Sequence, residues 1–452
     1  MDNTLPSVEE FKIMTAKKTT SSIALQKRAK SIIPGLTQLL SKRPDMFSTN
    51  IWPGYFSKSK GCQVWDLDGN EYLDMSISGI GANILGYAVD EVDDAVINSI
   101  RNGVSSSLNC PEDVELAEKL LELHPWSEEV RYARCGGEAM TVAVRIARAA
   151  TGKDKIAFSG YHGWHDWYLS ANVTSNSNLN DHLIPGLSPK GVPKALAGTA
   201  LPFPFNDIEA LEQLVAENGE ELAAIVMEPM RNFAPSEEYW QQVEAIAARL
   251  NIPLIIDEIS MGFRINCGGS HLKLGINPDI AVFSKAMANG YAMAAVIGKS
   301  KWMDAAQTSF ISSTMWTERV GPTAALATIN YYEQHQVHEH LAVIGAKIKD
   351  GWLSLAQKHG LEIHVSGIDA LCHFSLKNEN FLTLKSYFIE KMLEQGVLAT
   401  NMFYCMYAHK EHHVETYLKA VDNAFSAIAD AIENPELLAH VIPSTSGFKR
   451  LN

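Results

Sequence analysis

Short apolar runs alternate with segments of helical length between about residue 112 and residue 298 of this chain. The helical segments read "EDVELAEKLLELH", "IEALEQLVAENG" and "WQQVEAIAARLN", and the apolar runs read "DKIAFSG", "LAAIVMEP", "IPLIIDE", "DIAVFSK" and "AAVIG". Such alternation is typical of parallel strands that are joined by crossover helices. It therefore predicts an α/β domain with a mainly parallel sheet, which we expect to extend over residues 86–330.

The rest of the chain predicts a second, smaller domain. A length of 452 residues exceeds what one hydrophobic core usually supports. Residues 331–452 combine the helical segment "HLAVIGAKIKDGWLSLAQKHG" with the short strand "HFSLKN", which predicts a smaller α+β domain. Residues 1–85 predict an N-terminal segment that packs with this small domain. Within it, the "DGN" turn of "QVWDLDGNEYLDM" (63–75) predicts a β-hairpin.

Charge and cysteine content restrict the partners and the compartment. The formal net charge of −14 argues against binding to nucleic acid or to an anionic membrane. Six scattered cysteines without a CxxC pair predict reduced thiols in the cytoplasm. The N-terminal stretch "MDNTLPSVEEFKIM" is acidic and polar, unlike a signal peptide, and no apolar run is long enough to span a bilayer.

Two loops that follow predicted strands or precede helices carry binding chemistry. Gly136 and Gly137 of "CGGEAMTVAVRIARAATGK" precede a helix, so their amides form a candidate phosphate site, the alternative being a simple tight turn. The loop "SGYHGWHDWY" (159–168) offers a flat aromatic surface at Tyr161, or else an aromatic plug between domains. A zinc site at His162 and His165 lacks further ligands nearby, and we expect no metal.

A carboxylate and a lysine are two further candidate site residues. Asp257 ends the apolar strand of "IIDEISMGFR" and needs a cationic or proton-donating partner, such as a protonated ring nitrogen. Lys285 lies in the apolar stretch "DIAVFSKAMANGYAMAAVIG", where burial would lower the pKa of its amine. Since ligands bind at the carboxyl ends of parallel strands, these groups match the requirements of pyridoxal 5'-phosphate. The alternative for Lys285 is a side chain that merely reaches the surface.

Several longer motifs resemble class III pyridoxal-phosphate-dependent aminotransferases, particularly the glutamate-1-semialdehyde aminomutase branch. They are "VWDLDGNEYLDM", "GYHGWHD", "DEISMGFR" and "GINPDIAVFSKAMANGYAMAAVIG", and the similarity covers nearly the whole chain. The resemblance implies an aspartate-aminotransferase-like fold and a ping-pong transfer of an amino group from a small amino donor to a carbonyl acceptor. An aminomutase, racemase or epimerase on the same scaffold stays an alternative, as does a non-catalytic scaffold.

The resemblance also implies roles for single residues. Lys285 would form the Schiff base with the cofactor and move the substrate proton, and Asp257 would keep the ring nitrogen protonated. Tyr161 and Ile259 would cover the two faces of the ring. The remaining residues that the resemblance assigns to cofactor binding are Gly136, Gly137, Glu138, His162 and Glu228. Many relatives have Ser-Gly-Thr where this chain has Cys135-Gly136-Gly137, so the phosphate would depend more on backbone amides.

Relatives also share their active sites across a homodimer, in which a threonine of the partner subunit binds the phosphate. In "FISSTMWTERVGP" the candidates are Thr314 and Thr317, with Thr314 slightly favoured. Substrate recognition is less well matched, because Ile80 stands where relatives often have tryptophan. Arg43 is a candidate for binding a substrate carboxylate, although a solvated surface arginine is the alternative. Trp52 and Tyr55 either line the substrate pocket or simply pack.

Overall fold

The computed structural model describes residues 19–230 and 232–449. The acidic N-terminal stretch discussed above lies outside the described residues. The longer helices span Thr20–Ile32, Asp90–Arg101, Glu112–Leu123, Gly136–Thr151, Ile208–Asn218, Glu237–Leu250, Val320–His335, Val337–Lys358, Phe381–Glu394 and Glu411–Glu433. The strands span Phe56–Lys60, Gln63–Asp66, Glu71–Asp74, Glu129–Ala133, Lys155–Ser159, Ala200–Pro202, Leu222–Met227, Leu254–Asp257, Ile280–Phe283, Ala294–Gly298, Ile363–Ile368, Leu371–Leu376, Val397–Leu398 and Met402–Tyr404.

A mainly parallel sheet forms the centre of the molecule, as the alternating pattern predicts. In spatial order its strands are 129–133, 294–298, 280–283, 254–257, 222–227, 155–159 and 200–202. The last five pair in parallel, whereas strand 294–298 runs antiparallel to both of its neighbours. The antiparallel strand was not predicted, because it follows its neighbour through a short connection rather than a crossover helix.

Helices cover both faces of this sheet, and alternate strand residues point to opposite sides. Ala224 and Val226 pack with helix Gly136–Thr151 on one face. Ile225 and Met227, on the other face, pack with residues of helices Ile208–Asn218 and Glu237–Leu250. Every side chain of strand 222–227 is buried, as expected for a strand that is covered on both faces.

Two smaller sheets complete the fold. Strands 363–368, 371–376 and 402–404 form an antiparallel sheet, and helix Val337–Lys358 packs against it. The predicted hairpin is confirmed, because strands 63–66 and 71–74 pair in antiparallel fashion. Strand 71–74 also pairs with strand 397–398, so the N-terminal part of the chain contacts the C-terminal part. The domain boundaries at residues 85 and 330 stay predictions.

The parallel order brings the loops after four strands to one edge of the sheet. Strands 155–159, 222–227, 254–257 and 280–283 all end there, and they are followed by the aromatic loop, Glu228, Glu258 and Lys285. Their carboxyl ends therefore bring together residues that are far apart in sequence. A membrane-spanning helix is not found among the described residues, since none combines the required length with sufficient apolarity.

Candidate active site

Lys285 follows strand 280–283 and has an unusual backbone conformation. Its φ of +48° lies in the left-handed region, which costs a non-glycine residue about 1–2 kcal/mol. Such strain is concentrated at functional sites. The Nζ atom donates to the hydroxyl of Ser260 at 2.7 Å. Burial and the positive charge of Arg264 lower the pKa of Lys285, against the opposing effects of Asp257 and Glu228.

Asp257 is held from two sides at the end of its strand. The imidazole of His162 donates from Nδ1 to Oδ2 at 2.8 Å, and the amide of Ile259 donates to Oδ1 at 3.0 Å. The Asp257 side chain is 4% exposed and the His162 side chain is fully buried. These two bonds fix the carboxylate at the edge of the sheet where Lys285 also lies.

The next residue, Glu258, faces the other way and has a structural role. Its carboxylate accepts hydrogen bonds from the hydroxyl of Ser270 and from the backbone and ring nitrogens of His271. Neighbouring residues of an extended chain point to opposite sides, which explains the different environments of the two acids. Asp257 alone of this pair therefore belongs to the site.

Helix Gly136–Thr151 begins with a glycine turn that presents backbone amides. Glu138 caps this end, since its Oε2 accepts from the amides of Arg134 at 3.1 Å and Cys135 at 3.0 Å. No acceptor is recorded for the amides of Gly136 and Gly137 within the described parts of the chain, and the first amides of a helix have none inside the helix. This turn retains the features of an anion site.

Glycine is required at this turn because other loops press against it. A Cβ atom on Gly136 would lie 2.8 Å from Cδ1 of Ile259, and one on Gly137 would lie 3.1 Å from the ring of His165. The contact between Gly136 and Ile259 joins the predicted phosphate turn to the loop that carries Asp257. The two loops are therefore parts of one site.

Tyr161 and Glu228 lie beside each other at the same edge. The Tyr161 amide donates to Oε2 of Glu228 at 3.2 Å, and the Tyr161 ring packs edge-on against Tyr168 with 5.8 Å between the ring centroids. Burial, together with the charges of Asp257 and Glu228, raises the pKa of the Tyr161 hydroxyl. The charges of Asp257 and Glu228 therefore affect the pKa of Tyr161 and also that of Lys285.

The sequence motifs assign no role to Arg264, and they relate the turn that it contacts to substrate recognition only through Ile80. Arg264 is 2% exposed; its Nε donates to the carbonyl of Ser260 at 3.1 Å, and its Nη2 donates to the carbonyl of Gly81. Residues 78–81 all have positive φ, at 44°, 66°, 61° and 75°, and form one left-handed turn. The motif "DEISMGFR" contains both Arg264 and Ser260, but the second acceptor, Gly81, lies 183 residues away in the sequence.

The predicted substrate residues divide into two groups. Trp52 and Tyr55 both line a cavity of about 270 Å³, together with Gly79 of the left-handed turn. Arg43 does not line this cavity, because its guanidinium pairs with Asp45 and donates to the carbonyl of Lys449 at 2.8 Å. The alternative of a solvated Arg43 is wrong, since its side chain is only 5% exposed. Its charge is already compensated within its own segment.

Thr314 and Thr317 both lie on the exposed surface of this chain. The Thr317 hydroxyl donates to the carbonyl of Thr314 at 2.9 Å. Neighbouring apolar side chains are also exposed: Met315 by 60% and Phe310 by 87% of their area. A second cavity, lined by Phe310, Trp316 and the helix residue Glu138, connects this surface with the start of helix Gly136–Thr151.

The residues at this edge fit pyridoxal phosphate. A doubly anchored carboxylate suits a protonated ring nitrogen, and two helix amides without an acceptor among the described residues suit a phosphate. A partly buried lysine with a lowered pKa suits attachment of an aldehyde. In the cradle at Gly136, a single added Cβ would push against Ile259. The composition of the site therefore agrees with the cofactor that the sequence motifs imply.

Comparison with known proteins agrees with a site for pyridoxal phosphate. The family model described as "Aminotransferase class-III" matches residues 48–427. The 3-aminobutyryl-CoA aminotransferase of Cloacimonas acidaminovorans is 31% identical over 424 residues, which are 91% of this chain and 98% of that protein. The glutamate-1-semialdehyde 2,1-aminomutase of Persephonella marina is 30% identical over 404 residues, covering 84% of this chain and 93% of that protein.

The fold has equally extensive matches among solved structures. The FumI protein of Sphingopyxis sp. MTA144 superposes with a TM-score of 0.83 at 24% identity, covering 94% of this chain and 98% of that one. The predicted fold class is thereby confirmed. Together with the family match over most of the sequence, these likenesses establish that the chain belongs to the class III aminotransferases, a family of pyridoxal-phosphate-dependent enzymes.

Proposed function

We propose that this aminotransferase attaches its cofactor to Lys285 and transfers an amino group between a small amino donor and a carbonyl acceptor in a ping-pong mechanism. The observation that carries the proposal is the environment of Lys285. Its amine is held by Ser260 at 2.7 Å and has a lowered pKa, and Asp257 is among the charges that act on it. A lowered pKa increases the neutral fraction of the amine, and a neutral amine can act as a nucleophile and as a base.

The chain's own residues account for the steps of the reaction. When bound, pyridoxal phosphate supplies an electron sink for the carbon that loses its proton. Lys285 would accept that proton at Nζ and release it again later in the reaction. Ser260 keeps the amine in place. Asp257 maintains positive charge at the ring nitrogen, and His162 orients Asp257. Gly136 and Gly137 bind the phosphate through their amides.

Tyr161 and Ile259 are proposed to cover the two ring faces, and Glu228 to approach the ring substituents. In support, Ile259 contacts Gly136, and the Tyr161 amide is bonded to Glu228. Trp52 and Tyr55 are proposed to contact the substrate, since both line the cavity beside the left-handed turn. Arg43 is less suited to that role, because Asp45 compensates its charge.

The enzyme is further proposed to work as a homodimer with shared active sites. The exposed apolar side chains Phe310 and Met315 next to the start of helix Gly136–Thr151 support this arrangement. Thr314 is the favoured donor to the partner's phosphate, since the Thr317 hydroxyl is already used within its own chain. A cytoplasmic location is proposed from the six free cysteines.

Half-reaction spectroscopy tests the proposal. Purified holoenzyme is mixed with single amino donors, and the absorbance of the cofactor is followed before and after addition of an oxo acceptor. We expect an amino donor alone to convert the cofactor to its amine form and an acceptor to restore the original spectrum. Lys285→Ala serves as the control and should show no conversion at a comparable rate.

An aminomutase or another isomerase is the second candidate, because the aminomutase of Persephonella marina is 30% identical. The same experiment separates the two functions. Continuous turnover of one substrate with no acceptor present would support the isomerase. Conversion that stops after one equivalent of donor per site supports the transaminase. Holoenzyme that responds to neither donors nor acceptors would contradict both enzymatic functions.

A further inference from the structure

Three arginines hold the segment that carries the two candidate threonines, residues 310–318, which we call the threonine segment. Each arginine donates from its side chain to backbone carbonyls of this segment. The pairs are Arg131 with Ile311, Arg134 with Trp316 and Glu318, and Arg145 with Phe310. All three arginines lie within residues 129–151, which also contain the glycine turn that is proposed to bind the phosphate. The threonine segment is therefore attached to the unit that forms the phosphate turn of its own chain.

Arg134 is the arginine that lies next to the phosphate turn itself. Its guanidinium donates from Nε to Oε1 of Glu318 at 2.9 Å, and from Nη2 to the carbonyls of Trp316 at 2.9 Å and Glu318 at 2.7 Å. Its backbone amide donates at 3.1 Å to Glu138, the residue that caps the start of helix Gly136–Thr151. One residue thus contacts the phosphate turn through its backbone and the threonine segment through its side chain.

Glu318 fixes the end of the threonine segment from the other side. Its Oε1 atom accepts from the Arg134 guanidinium and from the amide of Gly321, and its Oε2 atom accepts from the amide of Val320 at 2.7 Å. The side chains of Arg134 and Glu318 are only 10% and 18% exposed, so salt screens this ion pair less than a surface pair. The backbone of residues 316–318 therefore has little freedom while the Arg134 guanidinium is in place.

The threonine side chains of this segment are exposed, although the backbone that carries them is held. Both Thr314 and Thr317 are exposed, and they belong to one short helical turn that also contains Trp316. The phosphate turn Cys135-Gly136-Gly137 presents backbone amides but no hydroxyl group, so any hydroxyl that binds the phosphate comes from another segment. An exposed hydroxyl on a firmly held backbone is suited to a site in a second copy of the chain.

We propose that Arg134 is a positioning residue that acts in trans: its guanidinium holds the threonine segment in the conformation that binds the cofactor phosphate of the partner subunit. This inference rests on the proposed homodimer with shared active sites, to which it adds a further residue. Arg134 contacts neither cofactor nor substrate in this account. Because its backbone adjoins the phosphate turn of its own site, the same residue connects the two phosphate sites of the dimer.

Equilibrium dialysis of homodimers with pyridoxamine phosphate measures the size of the effect without requiring catalysis. Arg134→Met should bind about tenfold more weakly, the loss expected when one hydrogen bond to a charged group is no longer held in place. Arg134→Lys keeps the charge beside Glu318 and should recover part of the affinity. The matched control is Arg249→Met, because Arg249 pairs with Glu212 on the opposite face of the central sheet. Binding by Arg134→Met within twofold of the wild type would overturn the proposal.

Heterodimers of two differently tagged subunits separate an action in trans from an action within one subunit. Gly136→Ala marks one subunit, because it weakens the phosphate turn of that subunit. In the first heterodimer Gly136→Ala and Arg134→Met lie in different subunits, so the intact turn receives a segment that an intact Arg134 holds, and we expect one tight site per dimer. In the second heterodimer both changes lie in the same subunit. The intact turn then receives the loosened segment, and we expect no tight site.

The number of tight sites decides between the two actions. One tight site in the second heterodimer and none in the first would overturn the proposal, since Arg134 would then act on its own turn. Equal numbers in the two heterodimers, or a monomeric holoenzyme, would overturn it as well. If Arg134→Met does not fold, Glu318→Gln replaces it in both heterodimers, because it removes the charge that pairs with the guanidinium, and the same numbers are expected.

A second marker makes the test independent of the glycine turn. The same two heterodimers are marked with Lys285→Ala in place of Gly136→Ala, and borohydride trapping on the remaining Lys285 reports its occupancy at limiting cofactor. If Gly136→Ala binds normally and the wild type shows no trapping on Lys285, the site itself is wrong and the inference is overturned with it. The expected numbers of tight sites without conversion by any amino donor would contradict the proposed amino transfer and support the role of Arg134.

Discussion

The Nδ1 atom of His162 lies 2.8 Å from Oδ2 of Asp257, and both side chains are buried at the edge of the central sheet. The histidine comes from the loop after strand 155–159, and the aspartate ends strand 254–257. Because Ile259 holds the other carboxylate oxygen, Asp257 has little freedom to turn. His162 is therefore expected to act on catalysis through the position of Asp257.

Replacing His162 by leucine should lower kcat about 10- to 100-fold, since the hydrogen bond from Nδ1 to the Asp257 carboxylate is lost. Asp257→Asn should have a larger effect, because it removes the charge itself. Steady-state kinetics of both single variants and the double variant measure the coupling. If His162 acts through Asp257, its substitution adds little in the Asp257→Asn background. Fully additive effects would contradict this account.

Gly136→Ala should weaken cofactor binding and lower the free energy of unfolding of the holoenzyme by about 1–3 kcal/mol, the usual cost of overpacking. The new methyl group would lie 2.8 Å from Cδ1 of Ile259. Ile259→Val removes that atom, so the double variant Gly136→Ala with Ile259→Val should recover part of the loss. Equilibrium dialysis of the cofactor and thermal unfolding check both effects. Unchanged cofactor affinity in Gly136→Ala would show that the turn tolerates a side chain and does not bind the phosphate.

Mixing two variants, Lys285→Ala and Thr314→Ala, tests whether each active site takes residues from both subunits of the proposed dimer. Lys285→Ala removes the reactive amine, and Thr314→Ala is expected to weaken phosphate binding about tenfold by removing one hydrogen bond to a charged group. A heterodimer of the two variants contains one site with an intact lysine and an intact partner threonine. We therefore expect the mixture to regain activity above that of either variant alone at low cofactor concentration. A mixture of Lys285→Ala with Thr317→Ala serves as the comparison, because the Thr317 hydroxyl donates to a carbonyl of its own chain.

Acid should destabilise the protein through two buried neutral histidines. Burial lowers the pKa of His124 to about 4 and that of His409 to about 3. An unfolded histidine has a pKa near 6.5, so the unfolded state binds the proton first as the pH falls. Stability contributed by the neutral folded form is present above about pH 6.5 and decreases as the pH approaches the folded pKa.

Each histidine should lower the free energy of unfolding by about 2 kcal/mol between pH 7 and pH 5. Urea unfolding at a series of pH values measures the slope. His124→Gln should flatten the slope, because glutamine does not titrate. An identical pH dependence in His124→Gln and wild type would rule out this source of acid sensitivity.

The sequence predicted the central sheet and the residues at its edge because both depend on local patterns. One apolar strand ends directly before Glu228 and another ends at Asp257, and the parallel order brings these ends together. The antiparallel strand 294–298 was missed, since periodicity does not record strand direction. Arg264 was missed as well, because one of its hydrogen-bond acceptors is the carbonyl of Gly81, a residue 183 positions away in the chain. A solvated surface position was an open alternative for Arg43, because its contact with the distant Lys449 follows no local pattern.

Attachment of the cofactor to Lys285 is the central claim, and chemical trapping tests it most directly. Holoenzyme is reduced with borohydride, digested, and mapped by mass spectrometry, with Lys285→Ala treated in parallel. We predict that the cofactor mass is found on Lys285 within the peptide that spans residues 279–298, and that it is lost in the variant. Trapping on another lysine, or no trapping on a protein that retains its cofactor absorbance, would contradict the account.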